Sequence, residues 1–367
     1  MASTHTVYFA TNRHPKRLSS TDPEDLTGDF NHDKPYAFRI GSATATLSGT
    51  NPLKDSAWSF KSYDLARERL RQSSPELGSD KILPEIREHL KETKSDVMIF
   101  LHGFANDFEN SILRAAQLQQ VYSTADRPLT VFLFAWPSDG ESALVRPYFN
   151  DRIDAKASGE AMGRALKRFV QFLREMLMED ERTIREARVN GTELTDDMLV
   201  ACDRKVHLMA HSMGNWALRW AMKAYNELTS RRFPQIFEHV FLMAADEDAN
   251  ALSDDSKLGC LTELGEQIHV YHAKDDRALM ISDETKGNPD RLGSRGPEDW
   301  LLLPENIFAV DCADVSDTTI VDARHQYYRA RSEVITDVQM TLAGQGPEGR
   351  KGRKEIRPGR AWRLIEA

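Results

Sequence analysis

The sequence predicts an α/β architecture, a mostly parallel central sheet with helices on both faces. Two observations carry this. Short, continuously apolar runs recur along the chain, as strands buried on both faces of a parallel sheet require. Between them lie stretches whose apolar residues fall at helical spacing, so strands alternate with covering helices. A third observation concerns residues 205–215, KVHLMAHSMGN, where one such run ends abruptly at a serine and helical spacing starts at once.

Taken in order, residues 6–10 (TVYFA) and 38–47 (FRIGSATATL) read as the first two strands, with a polar loop rich in Pro and Asp between them. Residues 63–70 and 82–90 show short amphipathic helical patterns. Residues 97–101 (VMIFL) form a buried strand, followed by a helix from about 107 to 122 with Phe108, Ile112, Ala115 and Ala116 along one stripe. The strand at 129–135 (LTVFLFA) ends at WPSDG, and one long helix is expected over about 153–178. Residues 179–204 read as a charged helical insertion. After the strand at 206–210 and the helix at 215–228 come strands at 239–244 and 267–272. A Gly/Pro/Asp/Arg-rich loop at 281–304 and a last strand at 307–312 follow. Residues 1–343 read as a single domain. From Gly344 the composition shifts to Gly, Pro, Lys and Arg, and residues 344–367, with seven basic and three acidic residues, read as a tail.

Composition narrows the function classes. The chain has 367 residues, a hydrophobic content of 40% and a net charge of −9. That is enough apolar material for a sizeable core. The acidic balance argues against a general nucleic-acid binder. The longest apolar run, 129–137, has nine residues, too few for a membrane span. The N-terminal residues lack the apolar stretch of a secretory signal, so a cytoplasmic location is expected. Three cysteines (202, 260, 312) are too widely spaced for a disulfide framework or a zinc pattern.

The chemistry centres on Ser212. Strand, tight turn and helix, with small residues at Ala210 and Gly214, form a nucleophile-elbow pattern in which the serine is held exposed on a sharp turn. The bland alternative makes Ser212 a helix N-cap. An acyl-transfer serine needs N–H donors where negative charge develops. One is the N–H of Met213. The second is the N–H of Phe104, since His102-Gly103 directly after a buried strand turns the chain toward the site. The base follows by elimination: of eleven histidines only His325 lies beyond the strand ending at His272, within DARHQYY (322–328). His269 and His272 belong to that strand, and His211 is expected to point away from the serine. For the acid, Asp275 and Asp276 follow the penultimate strand and point opposite ways, and Asp276 is favoured. Asp246, after the strand at 239–244, is the alternative acid, with a helix N-cap as its structural role.

With these residues in view, the chain resembles the α/β-hydrolases, and within them a bacterial branch of esterase/lipase-like proteins of unassigned function. The resemblance rests on YFATNR (8–13), HGFANDF (102–108), FAWPSDG (134–140), AHSMGN (210–215), DRAL (276–279), RLG (291–293) and the His325 segment. It implies an α/β-hydrolase fold and assigns the acid to Asp276. The expected activity is that of a serine hydrolase on a small-molecule carboxylic ester or related acyl bond, with neither metal nor organic cofactor. Acyl transfer by the same triad, or a non-catalytic binding protein on the same fold, are the other readings. The substrate pocket is expected from loops 137–155, 246–262 and 281–304.

Overall fold

A computed structural model describes residues 2–30, 36–67, 75–141, 146–195, 198–201, 204–230, 234–280, 290–316 and 324–366. The N-terminal third is mainly extended: β1 (Ser3–Thr11), β2 (Arg13–Pro15), β3 (Ser19–Ser20), β4 (Leu26–Phe30), β5 (Arg39–Leu47) and β6 (Trp58–Leu65). Strands and helices then alternate through α1 (Ser79–Thr93), β7 (Asp96–Leu101), α2 (Phe108–Tyr122), β8 (Leu129–Ala135), α3 (Arg146–Ala157) and α4 (Gly159–Asn190). The last part holds β9 (Val206–His211), α5 (Met213–Thr229), β10 (Phe237–Met243), β11 (Gly265–His272), β12 (Ile307–Asp311), α6 (Ser332–Leu342), β13 (Arg353–Arg357) and β14 (Ala361–Leu364).

Among the described residues one twelve-stranded sheet runs in the order β13-β14-β12-β11-β10-β9-β7-β8-β1-β5-β6-β3. From β14 to β1 the neighbours are parallel. The edges are antiparallel, β13 on one side and β5, β6 and β3 on the other. Every residue of β7 and β8 is buried, which is why these strands read as unbroken apolar runs. The strand period of two divides them between two cores. Ile99, Leu101 and Leu208 meet Met162 and Phe169 of α4 and Leu218 and Met222 of α5. Met98, Phe100 and Met209 belong to the opposite core with Ile112 and Ala115 of α2 and Val334 and Val338 of α6.

Four expectations change. Residues 63–65, read as helical, close strand β6, because Tyr63 and Leu65 are two apart and both buried in its pairing with β5; residues 68–70 lie outside the described residues. The helix expected over 153–178 is two helices, broken at Ser158, whose hydroxyl bonds Asp154 O and takes a hydrogen bond from Asn12 Nδ2. The second continues into the expected insertion as far as Asn190, where Gly191 at φ +63° ends it. There Asp180 is buried and accepts the N–H groups of Val200 and Ala201, whose side chains are buried in the same core as α4 and α5.

The C-terminal segment is the largest correction. Residues 353–364, expected within a tail, are the strand pair β13–β14, and β14 extends the parallel sheet beside β12. Trp362 and Leu364 are buried there. Arg353 pairs with the buried Asp337 of α6, at 2.5 and 2.6 Å, and Arg363 with Asp311 of β12 at 2.6 Å. Among the described residues no helix is long and apolar enough to cross a membrane.

Candidate active site

Ser212 stands between the end of β9 and the first turn of α5 with φ 52° and ψ −123°, a region that L-residues avoid and that costs on the order of 1–3 kcal/mol. Four hydrogen bonds hold it there. Its N–H donates to Met243 O at 2.9 Å, and its carbonyl accepts from Asn215 N, Asn215 Nδ2 and Asp246 N at 3.0, 3.1 and 3.2 Å. The close approach of β7 explains the glycine at 214. A Cβ there would lie 2.4 Å from Leu101 O and 2.7 Å from His102 O, both backbone atoms that cannot step aside. A Cβ on Gly103 would sit 2.9 Å from the Ser212 Cβ.

His325 and Asp276 meet. The Nδ1 of His325 lies 2.7 Å from Asp276 Oδ2, and both side chains are buried. The other carboxylate oxygen accepts Leu279 N–H at 3.1 Å, so the turn in DRAL orients this carboxylate. Burial pushes the Asp276 carboxyl up, against the pull of His325. The adjacent Asp275 faces elsewhere, pairing with Arg324 and accepting from Ser316 Oγ at 3.0 Å. The start of the His325 segment, 322–323, lies outside the described residues.

Asp246 does not act as a cap; among the described residues the nearby 3-10 turn Ala251–Ser253 starts after Asn250 instead. Its buried carboxylate accepts from Tyr148 OH and faces Arg152 at 3.4 Å and Arg291 at 3.5 Å. Arg291 is fully buried and also pairs with Asp248 at 2.9 Å. The RLG segment is therefore an inner element. A Cβ on Gly293 would lie 2.3 Å from the backbone at Ala244 and Ala245.

Two stretches, residues 80–184 and 192–345, match the family model described as alpha/beta hydrolase of unknown function (DUF900). The chain belongs to this family. The matched stretches take in Phe104, Ser212, Met213, Asp246, Asp276 and His325. No curated protein and no solved structure matches the chain.

In this α/β-hydrolase the two residues expected as oxyanion donors come from different elements. Met213 is the first residue of α5, so its N–H has no intrahelical acceptor. Phe104 lies in the loop after β7, which three otherwise distant segments hold. Asn106 Nδ2 donates to Gly103 O and Phe104 O at 3.1 and 2.9 Å. The buried Arg13 donates to Asn106 O at 3.0 Å and Ser138 O at 3.1 Å. Asp151 of α3, itself 1% exposed, accepts from Ala105 N, Asp139 N and Ser138 Oγ. The motifs YFATNR, HGFANDF and FAWPSDG thus converge on one loop. Ala105, at φ 55°, makes the turn immediately after Phe104. Trp136 stacks on His102 at 4.7 Å and donates to its carbonyl at 2.9 Å; burial depresses the His102 pKa to about 3, so the ring is neutral.

Sequence reasoning missed two contributors. His211, expected only to point away from the serine, places Nε2 3.2 Å from His325 O, and its ring lies 4.7 Å from that of His325. Burial holds it well below the usual histidine range, so it is neutral, and one ring N–H suffices for the contact. The strand alternation of His207, Met209 and His211 carried that signal, placing His211 on the α2/α6 face. Asp151 had none, as one aspartate on a polar helix. Among the described residues no group of three His, Cys, Asp or Glu side chains is arranged to hold a metal ion.

Proposed function

We propose that this protein is a serine hydrolase that cleaves a carboxylic ester or related acyl bond. The observation that carries the reading is the buried His325–Asp276 contact at 2.7 Å in a chain whose Ser212 occupies a strained elbow. Ser212 Oγ attacks the acyl carbonyl as His325 Nε2 takes its proton. Asp276 holds the Nδ1–H tautomer and stabilises the imidazolium. The N–H groups of Met213 and Phe104 receive the oxyanion, each worth about 3–4 kcal/mol in such sites. His325 returns the proton to the leaving alcohol, the carbonyl–oxygen bond breaks, and an ester to Ser212 remains. Water, deprotonated by the same histidine, then releases the acid.

The test is labelling by a fluorophosphonate probe together with hydrolysis of p-nitrophenyl esters of graded chain length. Wild-type protein should react at one serine and turn over at least one ester. Ser212→Ala should keep its fold, lose the label and lose roughly 10⁴-fold or more in turnover. An alanine variant that hydrolyses esters at the wild-type rate would sink the assignment. Added alcohol acceptors separate hydrolysis from acyl transfer through the products formed.

A further inference from the structure

Away from Ser212, a cavity of about 670 Å³ opens between the end of β1, the start of β5, the first residues of α1 and one face of α4. Its lining is unusual for a chain of net charge −9: Arg39, Arg164, Lys167 and Arg168 line it, and no Asp or Glu does among the described residues. Positions 164, 167, 168 and 171 recur at helical spacing, so one face of α4 turns three cations into the cavity. Like charges three and four residues apart destabilise a helix by a few tenths of a kcal/mol, roughly, unless an anion lies between them.

Local partners offset the charge of Arg168 but leave that of Arg164 and Lys167 facing neutral groups. Arg168 has its carboxylate neighbours, Asp80 and Glu175, at 3.5 Å. Lys167 Nζ donates to a neutral carbonyl, Leu228 O, at 3.2 Å. The Arg164 guanidinium lies 5.4 Å over the Tyr36 ring. The same cavity has an apolar wall in Phe38, Ile40 and Leu228. Asn12, 3% exposed, also lines it, and its Oδ1 is a buried acceptor with no hydrogen-bond partner among the described residues. A buried acceptor of this kind is costly unless a donor reaches it.

We propose that this cavity binds a small organic phosphate. The phosphate would lie among Arg39, Arg164, Lys167 and Arg168, with an apolar body against Phe38, Ile40 and Leu228 and a hydroxyl or amine donor within reach of Asn12 Oδ1. A doubly charged tetrahedral group suits several converging cations, and arginine bonds phosphate through paired N–H groups. A monocarboxylate offers one charge and leaves most of the cluster unneutralised. The proposal does not depend on the chemistry at Ser212.

Titration calorimetry of the full chain at physiological salt, with phenyl phosphate, inorganic phosphate and benzoate, tests it. Phenyl phosphate should bind more tightly than inorganic phosphate, and benzoate most weakly. The double variant Arg164→Ala/Lys167→Ala, on the helix, and Arg39→Gln, on the strand, should each weaken phenyl phosphate at least tenfold. Unfolding midpoints measured alongside establish that each variant is folded, and the helical pair alone decides if Arg39→Gln is not. Absence of phenyl phosphate binding, or equal binding to the folded variants, overturns the proposal. Flotation with vesicles containing phosphatidic acid, against phosphatidylcholine alone, separates the sources. Vesicle capture without phenyl phosphate binding would replace the small molecule by a membrane and overturn it too.

Discussion

His325 Nδ1 and Asp276 Oδ2 lie 2.7 Å apart across 49 residues of sequence, while the neighbouring Asp275 turns to Arg324. One adjacent pair of aspartates thus serves two purposes: the first holds Arg324 and Ser316, and the second faces the imidazole. Asp246, at the end of the preceding strand, is occupied by Tyr148, Arg152 and Arg291.

The two aspartates should therefore fail differently. Asp276→Asn should lower turnover on the order of 10⁴-fold with substrate binding little changed, because an amide can hold the wrong tautomer and cannot stabilise imidazolium. Asp246→Asn should act on stability, about 1–3 kcal/mol, since it withdraws a charged acceptor from two largely buried arginines. Steady-state kinetics beside urea unfolding measures both. A severe catalytic loss in a stable Asp246→Asn protein would move the acid to the earlier strand.

Asp151 should behave as a positioning residue for the loop that carries Phe104, the proposed second oxyanion donor. Its Oδ2 accepts both Ala105 N–H and Ser138 Oγ, and Oδ1 accepts Asp139 N–H. Asparagine presents one oxygen, so it cannot satisfy both sets. Asp151→Asn should cut kcat by roughly the 10²-fold or more that a misplaced oxyanion donor costs, with KM nearly unchanged. A rise in KM at constant kcat would place Asp151 in substrate binding instead.

Acid should destabilise the fold through its buried histidines. Burial pushes His102 and His239 down to about 3 and holds His211 and His269 well below the ordinary range. In the unfolded chain each takes a proton near pH 6.5. Between about 6.5 and 3 the unfolded state binds more protons, so stability falls as pH falls, by up to about 1.4 kcal/mol per pH unit for each histidine. Asp154 opposes this in part: raised to about 7 by burial and by Asp139, it loses stability as pH rises. The histidine part is isolated by comparing wild type with His239→Leu in urea at pH 7.5 and 5.5. The variant should lose less stability between the two, and identical slopes would contradict the argument.

Removing residues 344–367 should unfold the protein. The cut would expose β12 as a sheet edge, take out the buried Trp362 and Leu364, and leave the buried Asp337 without Arg350 and Arg353. A soluble 1–343 fragment with a cooperative thermal transition would show that β13 and β14 are dispensable.

The sequence by itself determined the alternation of strands and helices, the small residues around Ser212, and the order in which serine, aspartate and histidine occur. Each is a local or one-dimensional property: apolar periodicity follows from burial on two faces, and Ala210 and Gly214 follow from a turn too tight for larger side chains. Only the tertiary structure decided which charges meet. Asp246 read as a cap or an acid from its strand end, and its arginines come from α3 and from residue 291, too far along the chain to register in any local pattern. The C-terminal strands were hidden for the same reason. RKEIR is exposed along four of its five residues and so lacks apolar alternation, and AWRL is strand through its pairing with β12 on one side and β13 on the other. Asp151 likewise owes its place to segments that fold onto it, and such long-range pairing leaves no period in the sequence, whereas the alternation of β9 did mark the face on which His211 lies.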